Sequence, residues 1–444
     1  MALINSSISE SSTDSDRVSR SSPRGESLSP ALTLSASDPF QGLRCYEPIL
    51  ARHGMATHFL QSCEGIVGHH AEIDGKHFIN FSTYNYLGFS GDSRVCDAAH
   101  KAIDVYGTSV SASRLIAGDR PIHRELEREI ADLVGAEDSI VFTSGHATNV
   151  TSLGCLFGPK DLIIYDILSH NSIQQGIRLS GATAYRFAHN SVNQVDSLLQ
   201  RHRGKFERAL IVTEGVFSMD GDIAPVPQLI EIKRRHRAFL MVDEAHSMGV
   251  IGQCGRGIAD HFQLSGTDVD IWMGTLSKSL ASCGGYIAGR HELVESLRFA
   301  AAGFVYTCGM SPATAASALM AARLLKQEPE RVQRLAANVH LFKRLAQERG
   351  LNTGDSHGSA VVPVILGCSL TSLFAAHLLH ERGILVHPLC YPVVPQNAAR
   401  LRFFLTAMHT TEEIEMAVDS LLNSVNTAKA MAAAELAQSG TVLP

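Results

Sequence analysis

The 444-residue chain contains no run of about 20 apolar residues, so no helix crossing a bilayer is expected. It has no basic excess: 38 Lys and Arg stand against 44 Asp and Glu, a net charge of −6. A nucleic-acid binder needs a basic face to displace counterions, and that class is excluded. The start, MALINSSISE, has no basic region followed by an apolar stretch, so a secretory signal is not expected. Nine cysteines (45, 63, 96, 155, 254, 283, 308, 368 and 390) include no Cys-x-x-Cys pair. An odd number without metal spacing reads as reduced thiols in a cytoplasmic protein, not a disulfide frame. What remains is 45% hydrophobic and 18% charged, enough for a large core and more than one domain.

Thirteen of the first 40 residues are serine. Such a stretch buries too little apolar surface to offset ordering, so residues 1–38 read as a disordered tail. Asp14, Asp16 and Glu26 argue against a mitochondrial transit peptide, which is acid-poor. An N-terminal segment, 39–100, leads into a large domain, 101–304. There Ser139–Thr143, Asp161–Tyr165, Arg208–Thr213 and Ala238–Val242 read as buried strands, with helical patterns such as Pro225–His236 between them. Strands alternating with helices predict an α/β fold with a mostly parallel sheet covered on both faces. Residues 305–425 read as a smaller α+β domain, with a strand in VVPVIL and a helix over Ser369–Arg382; the Ala-rich tail 426–444 reads as a frayed helix.

Parallel sheets bind ligands beyond the carboxyl ends of their strands. After the first strand comes Ser144-Gly145-His146, a small turn opening a helix and a candidate anion seat. His170 follows the second strand, Glu214 to Asp222 the third, Asp243-Glu244-Ala245-His246 the fourth, and Thr275-Leu276-Ser277-Lys278 a later one. Singly these are ordinary: a strand-end Asp is more often a cap, and a lone His a structural group. His170, Asp243 and His246 could suggest zinc. However, they lack a helical His pair such as HExxH, and a lysine adds nothing to a zinc site; no metal is expected. An amine near a phosphate seat is what an aldehyde cofactor requires for a Schiff base.

Four blocks, DEAHSMGVIGQCGRG, GTLSKSLASCGGYIAG, EGVFSMDGDIAP and YGTSVSASRLIAGDRPIHRELE, resemble the α-oxoamine synthase family, and the match runs in order from about residue 45 to 425. That group includes serine palmitoyltransferase and 8-amino-7-oxononanoate synthase. The resemblance implies fold type I architecture, pyridoxal 5′-phosphate, and a homodimer with active sites at the subunit interface. It also implies condensation of an α-amino acid with an acyl thioester, releasing carbon dioxide and thiol. By position, Lys278 looks like the lysine that forms the Schiff base. Asp243 matches the partner of the pyridine nitrogen. His246, with Ser218, matches the contact to the ring oxygen. His170 and Ala245 match the residues on the two ring faces. Gly145, His146 and Thr275 match phosphate contacts, and Thr307 one reaching over from the partner subunit. Arg402 in ARLRFFLTAMHT looks like the carboxylate clamp, with Arg400 as its alternative. Asn85 in TYNYLG lies where the family lines its substrate pocket.

The chain departs from the family pattern GxGxxGSR at Ser109 and Ala112. Ser113 stands where glycine-restricted members have threonine, which favours alanine or serine as substrate. YPVVP and ARLRFFLTAMHT look like the domains attached to polyketide assembly lines, so the acyl donor is either a CoA ester or a separate acyl carrier protein. Met219, Met248, Met310 and Cys283 read as packing residues, and Trp272 as part of a buried strand. Three rival readings stay open: a serine palmitoyltransferase proper making 3-ketosphinganine, another fold type I enzyme (aminotransferase or lyase), and a non-catalytic partner subunit. The presence of Lys278 weighs against the last.

Overall fold

The computed structural model describes residues 44–439; the Ser-rich segment 1–38 lies outside them. Among the described residues, thirteen strands run in chain order: β1 His70–Ile73, β2 Lys76–Asn80, β3 Asp138–Phe142, β4 Leu162–Asp166, β5 Thr183–Phe187, β6 Ala209–Glu214, β7 Phe239–Asp243, β8 Ile271–Thr275, β9 Gly285–Gly289, β10 Val361–Gly367, β11 Ile384–Leu385, β12 His387–Leu389 and β13 Ala399–Phe404. Seven form one sheet in the order β3-β9-β8-β7-β6-β4-β5. Only β9 runs against the others, between β3 and β8.

The strands are apolar on both faces because both faces are covered. Ala209 and Ile211 of β6 face one buried cluster, and Leu210 and Val212 the other. Leu240 and Val242 of β7 alternate with Met241 in the same way. This is the near-continuous hydrophobic signature of a doubly covered parallel sheet. Trp272 of β8 is fully buried and its Nε1–H donates to Gly266 O at 2.7 Å. Each of β4, β6 and β7 reaches one residue further than the apolar run suggests. Asp166, Glu214 and Asp243 are therefore the last residues of their strands, not the first of their loops.

The helices Gly145–Leu156 and Asn171–Ser180 pack side by side on one face. Gly176 permits the approach: a Cβ there would lie 2.6 Å from Asn149 O.

The C-terminal part carries the antiparallel sheet β10-β13-β12, with helices Pro329–Glu348 and Ser369–His380. A third sheet, β1-β2-β11, joins residues of the N-terminal segment to this part, Ile79 pairing with Ile384. Among the described residues the Ala-rich end is a helix that is packed, not frayed. One helix runs Thr411–Ser439, burying Ile414, Val418, Leu421, Val425, Ala428 and Ala432 along one face. Glu435 near its end pairs with Arg52 (2.5 Å) and His53 (2.8 Å). Alanine is the strongest helix former, and a small side chain allows close packing. Among the described residues, no helix is long and apolar enough to cross a membrane.

Candidate active site

The carboxyl ends of β6, β7 and β8 bring their terminal side chains to one rim, and the turn after β4 adds His170. A cavity of about 350 Å³ opens there, lined among others by Gly145, His146, His170, Glu214, Ser218, Asp243, Ala245, His246, Thr275, Lys278 and Arg402. Ten of the fourteen residues expected at the site therefore share one cavity.

Asp243 is buried and held by N–H donors: Ala245 N–H reaches Oδ1 and Asn149 Nδ2–H reaches Oδ2, both at 2.9 Å. Register places Glu214 of β6 beside it. Burial, and the neighbouring Asp243, push the Glu214 carboxyl well above its ordinary value. Its Oε1 accepts the backbone N–H of His170 at 2.6 Å.

Lys278 sits on a turn after β8 that is fastened by its own backbone: Leu276 N–H donates to Gly284 O, and Ala281 N–H to Lys278 O, both at 2.9 Å. Its stem is partly exposed, but its amine lies in the cavity, 5.5 Å from the Tyr84 ring centroid. Burial pushes that amine down to about 8, against the pull of Asp243 and Glu214. The amine has no carboxylate partner among the described residues, and neither does Arg402. Arg402 donates Nη1–H to Ser218 O at 2.9 Å and lies 4.6 Å over the Phe404 ring; burial lowers its guanidinium below its ordinary value.

His246 is buried, with Nδ1 2.8 Å from the Tyr86 hydroxyl; burial holds it well below its ordinary value, hence neutral. Burial also lowers His170, with Lys278 and His146 adding to the effect and Asp243 opposing it. His146 is exposed at the rim, its ring centroid 6.2 Å from that of His170.

The Ser144-Gly145-His146 turn opens the helix Gly145–Leu156, so its backbone N–H groups face the rim unsatisfied by the helix. A Cβ on Gly145 would stand 2.8 Å from Thr275 Oγ1, so only glycine fits against that hydroxyl.

Four expected residues fall elsewhere. Asn85 is spent on its own turn, donating Nδ2–H to Ser90 O and accepting Ser90 N–H, both at 3.1 Å; its neighbour Tyr84 lines the cavity instead. Arg400 turns to Asp220 and Met219 O, which leaves Arg402 alone of the pair in the cavity. Ser113 and Thr307 share a separate, shallow surface with Ser111, Val305, Tyr306 and Cys308. There Ser113 donates Oγ–H to Val305 O at 2.7 Å. Met219 lines the cavity, and Cys283 is exposed because the lysine turn carries its thiol outward; Met248 and Met310 pack. Among the described residues, the groups spaced to hold a metal ion are His69–His70–Glu413 and Asp138–His291–Glu295, not His170, Asp243 and His246. The sequence reading passed over Tyr86, Asn149 and Ser172. Asn149 lies one turn into the helix that follows the anion-seat turn, and its partners are on β7 and on another helix.

Residues 76–421 match the family model for aminotransferase class I and II. An 8-amino-7-oxononanoate synthase of Fervidobacterium nodosum is 42% identical over 78% of this chain and 88% of its own. One from Thermosipho melanesiensis is 38% identical over 83% of this chain and 94% of its own. Among solved structures, a serine palmitoyltransferase variant from S. paucimobilis, with PLP and myriocin bound, superposes with a TM-score of 0.83 at 31% identity. That match covers 88% of this chain and 98% of the other. The chain belongs to the aminotransferase class I and II family, and within it to the α-oxoamine synthases.

Proposed function

We propose that this chain uses pyridoxal 5′-phosphate to condense an α-amino acid with an acyl thioester, giving an α-amino ketone, carbon dioxide and free thiol. One observation carries the reading: a buried carboxylate, a buried amine and a guanidinium share one cavity, and none is paired with another. Unpaired buried charge is costly, and a charged, aromatic ligand that contacts all three relieves it. The residues fit the cofactor. Its phosphate suits the N–H groups at Ser144–His146 and the Thr275 hydroxyl. Asp243 would hold a proton on the pyridine nitrogen, and His246, steadied by Tyr86, would reach the ring oxygen.

When bound, the cofactor supplies an electron sink for charge developing at the amino acid's α-carbon. The chain does the rest. Lys278 Nζ, already low enough to lose its proton near neutrality, would hold the cofactor and would take the α-proton. Arg402 grips the substrate carboxylate with its free donors. His170 and Ala245, which line the cavity, would flank the ring.

Ser113 and Thr307 lie on a surface outside the cavity, which suits delivery to the site of a second copy in a homodimer. Alanine is favoured over serine as substrate. The curated relatives are named for a product with its amine on C8, a ketone on C7 and a terminal methyl, which is alanine joined to a seven-carbon acyl group.

The test is to incubate PLP-loaded protein with alanine, serine or glycine and a series of acyl-CoA esters. Release of carbon dioxide and thiol in equal amounts is expected, fastest with alanine. Exchange of the amino group with no thiol released would make it an aminotransferase instead.

A further inference from the structure

A carboxylate carries no hydrogen, so Asn149 must turn its amide nitrogen, not its oxygen, toward Asp243 Oδ2. The second N–H of that nitrogen reaches Ser172 Oγ at 2.9 Å. Asn149 Oδ1 is left buried without a partner, so the side chain is oriented by its N–H groups alone. Ser172 Oγ therefore accepts from Asn149, and its single hydrogen is left for His170 Nδ1, 2.7 Å away. The Ser172 backbone N–H donates to the same Nδ1 at 3.2 Å. Both contacts need a lone pair there, so the ring proton of a neutral His170 sits on Nε2. Two further constraints hold the arrangement. Glu214 fixes the His170 backbone N–H, and Gly176 lets the Asn149 helix approach the Ser172 helix.

We propose that Asn149 is a positioning residue which, through the Ser172 hydroxyl, ties the Asp243 carboxylate to the tautomer of His170, so that His170 meets a bound substrate as a hydrogen-bond donor from Nε2 and not as a proton acceptor. One amide thus sets two groups at once: the carboxylate that faces the pyridine nitrogen and the imidazole that covers the ring. The role toward cofactor and substrate rests on the reading above. The tautomer is a property of the chain alone.

The test is nitrogen NMR of the protein labelled at histidine, with the His170 signals assigned by their loss in His170→Gln. The expected spectrum shows Nδ1 unprotonated and Nε2 protonated. Asn149→Ala and Ser172→Ala should give mixed tautomers, and Ser172→Thr, which keeps the hydroxyl, should restore the wild-type pattern. Asn149→Ala should also weaken PLP binding, followed by its visible absorbance, by about 10- to 100-fold, the size of a lost hydrogen bond to a charged group. A protonated Nδ1 in the wild-type protein overturns the proposal whatever the variants do, and so does an unchanged tautomer in both alanine variants. A wild-type protein that shows the expected tautomer but binds no PLP sinks the cofactor reading and leaves the relay standing.

Discussion

The seven-stranded sheet has a cavity at each end. At the carboxyl ends of its strands lies the Lys278 pocket of about 350 Å³. At the other end a larger one, about 440 Å³, is walled by Leu156, Phe157, Phe239, Val269, Ile271 and Leu293. Phe239 and Ile271 are the first residues of β7 and β8, whose last residues are Asp243 and Thr275. The larger cavity has charges at its margin, but several are matched: Arg208 pairs with Asp161 at 2.6 Å and Asp270 with Lys233 at 2.7 Å. In the smaller one, the amine, carboxylate and guanidinium are desolvated and unmatched. Volume does not distinguish a reactive site. Charge held out of water without a partner does, because folding alone has no reason to keep it.

The sharpest way to break this contrast is Lys278→Ala. Turnover should fall by about 10²- to 10⁴-fold and the visible absorbance of bound PLP should change, since the covalent link and the proton acceptor go together. A variant with wild-type turnover would erase the distinction between the two ends. Next, Arg402→Ala should lower kcat/KM for the amino acid about 10- to 100-fold, the worth of a hydrogen bond to a charged group, with a smaller loss in Arg402→Lys. Arg400→Ala should affect heat stability more than kcat/KM, because its guanidinium holds Asp220.

A third measurement sharpens the electrostatic side. Burial lowers the Lys278 amine to about 8, so the reactive, uncharged form gains as pH rises through that value. The rate at which cofactor-free protein captures PLP should climb about tenfold from pH 7 and level off above 8 to 9, whereas an ordinary lysine would keep climbing beyond pH 10. The smallest effect belongs to the other end. Phe239 is 42% exposed, so Phe239→Ala should cost no more than about 1 kcal/mol of stability in a urea titration and leave kcat/KM unchanged. Loss of catalysis there would show that the apolar cavity serves the reaction.

Four strands of the large sheet, and the polar residues that follow them, were legible in the sequence. Apolar runs of strand length are punctuated by the polar residues that form the site, and both signals are local. What escaped was long-range. Tyr84 rather than Asn85 enters the cavity because Asn85 is consumed by a turn with Ser90, a choice that one sequence does not reveal. Tyr86 meets His246 across a gap of 160 positions. Ser172 matters only because Asn149 lies opposite it on a packed helix. Ser113, expected on the substrate side, and Thr307, expected to reach a partner subunit's phosphate seat, share a surface outside the cavity within one chain. The last helix was expected, but its packing was missed because alanine-rich sequence looks weakly apolar, although spacing of three and four residues from Ile414 to Ala432 marks a buried stripe.

The pairing of Ile79 with Ile384 also constrains how the molecule is made. A chain leaving the ribosome must carry β2 with one side of its backbone unpaired until the residues of β11 emerge. The strand β13, which carries Arg402, comes later still. Assembly therefore cannot finish from the front, and a truncated product lacks both the closing strand and the guanidinium that lines the cavity.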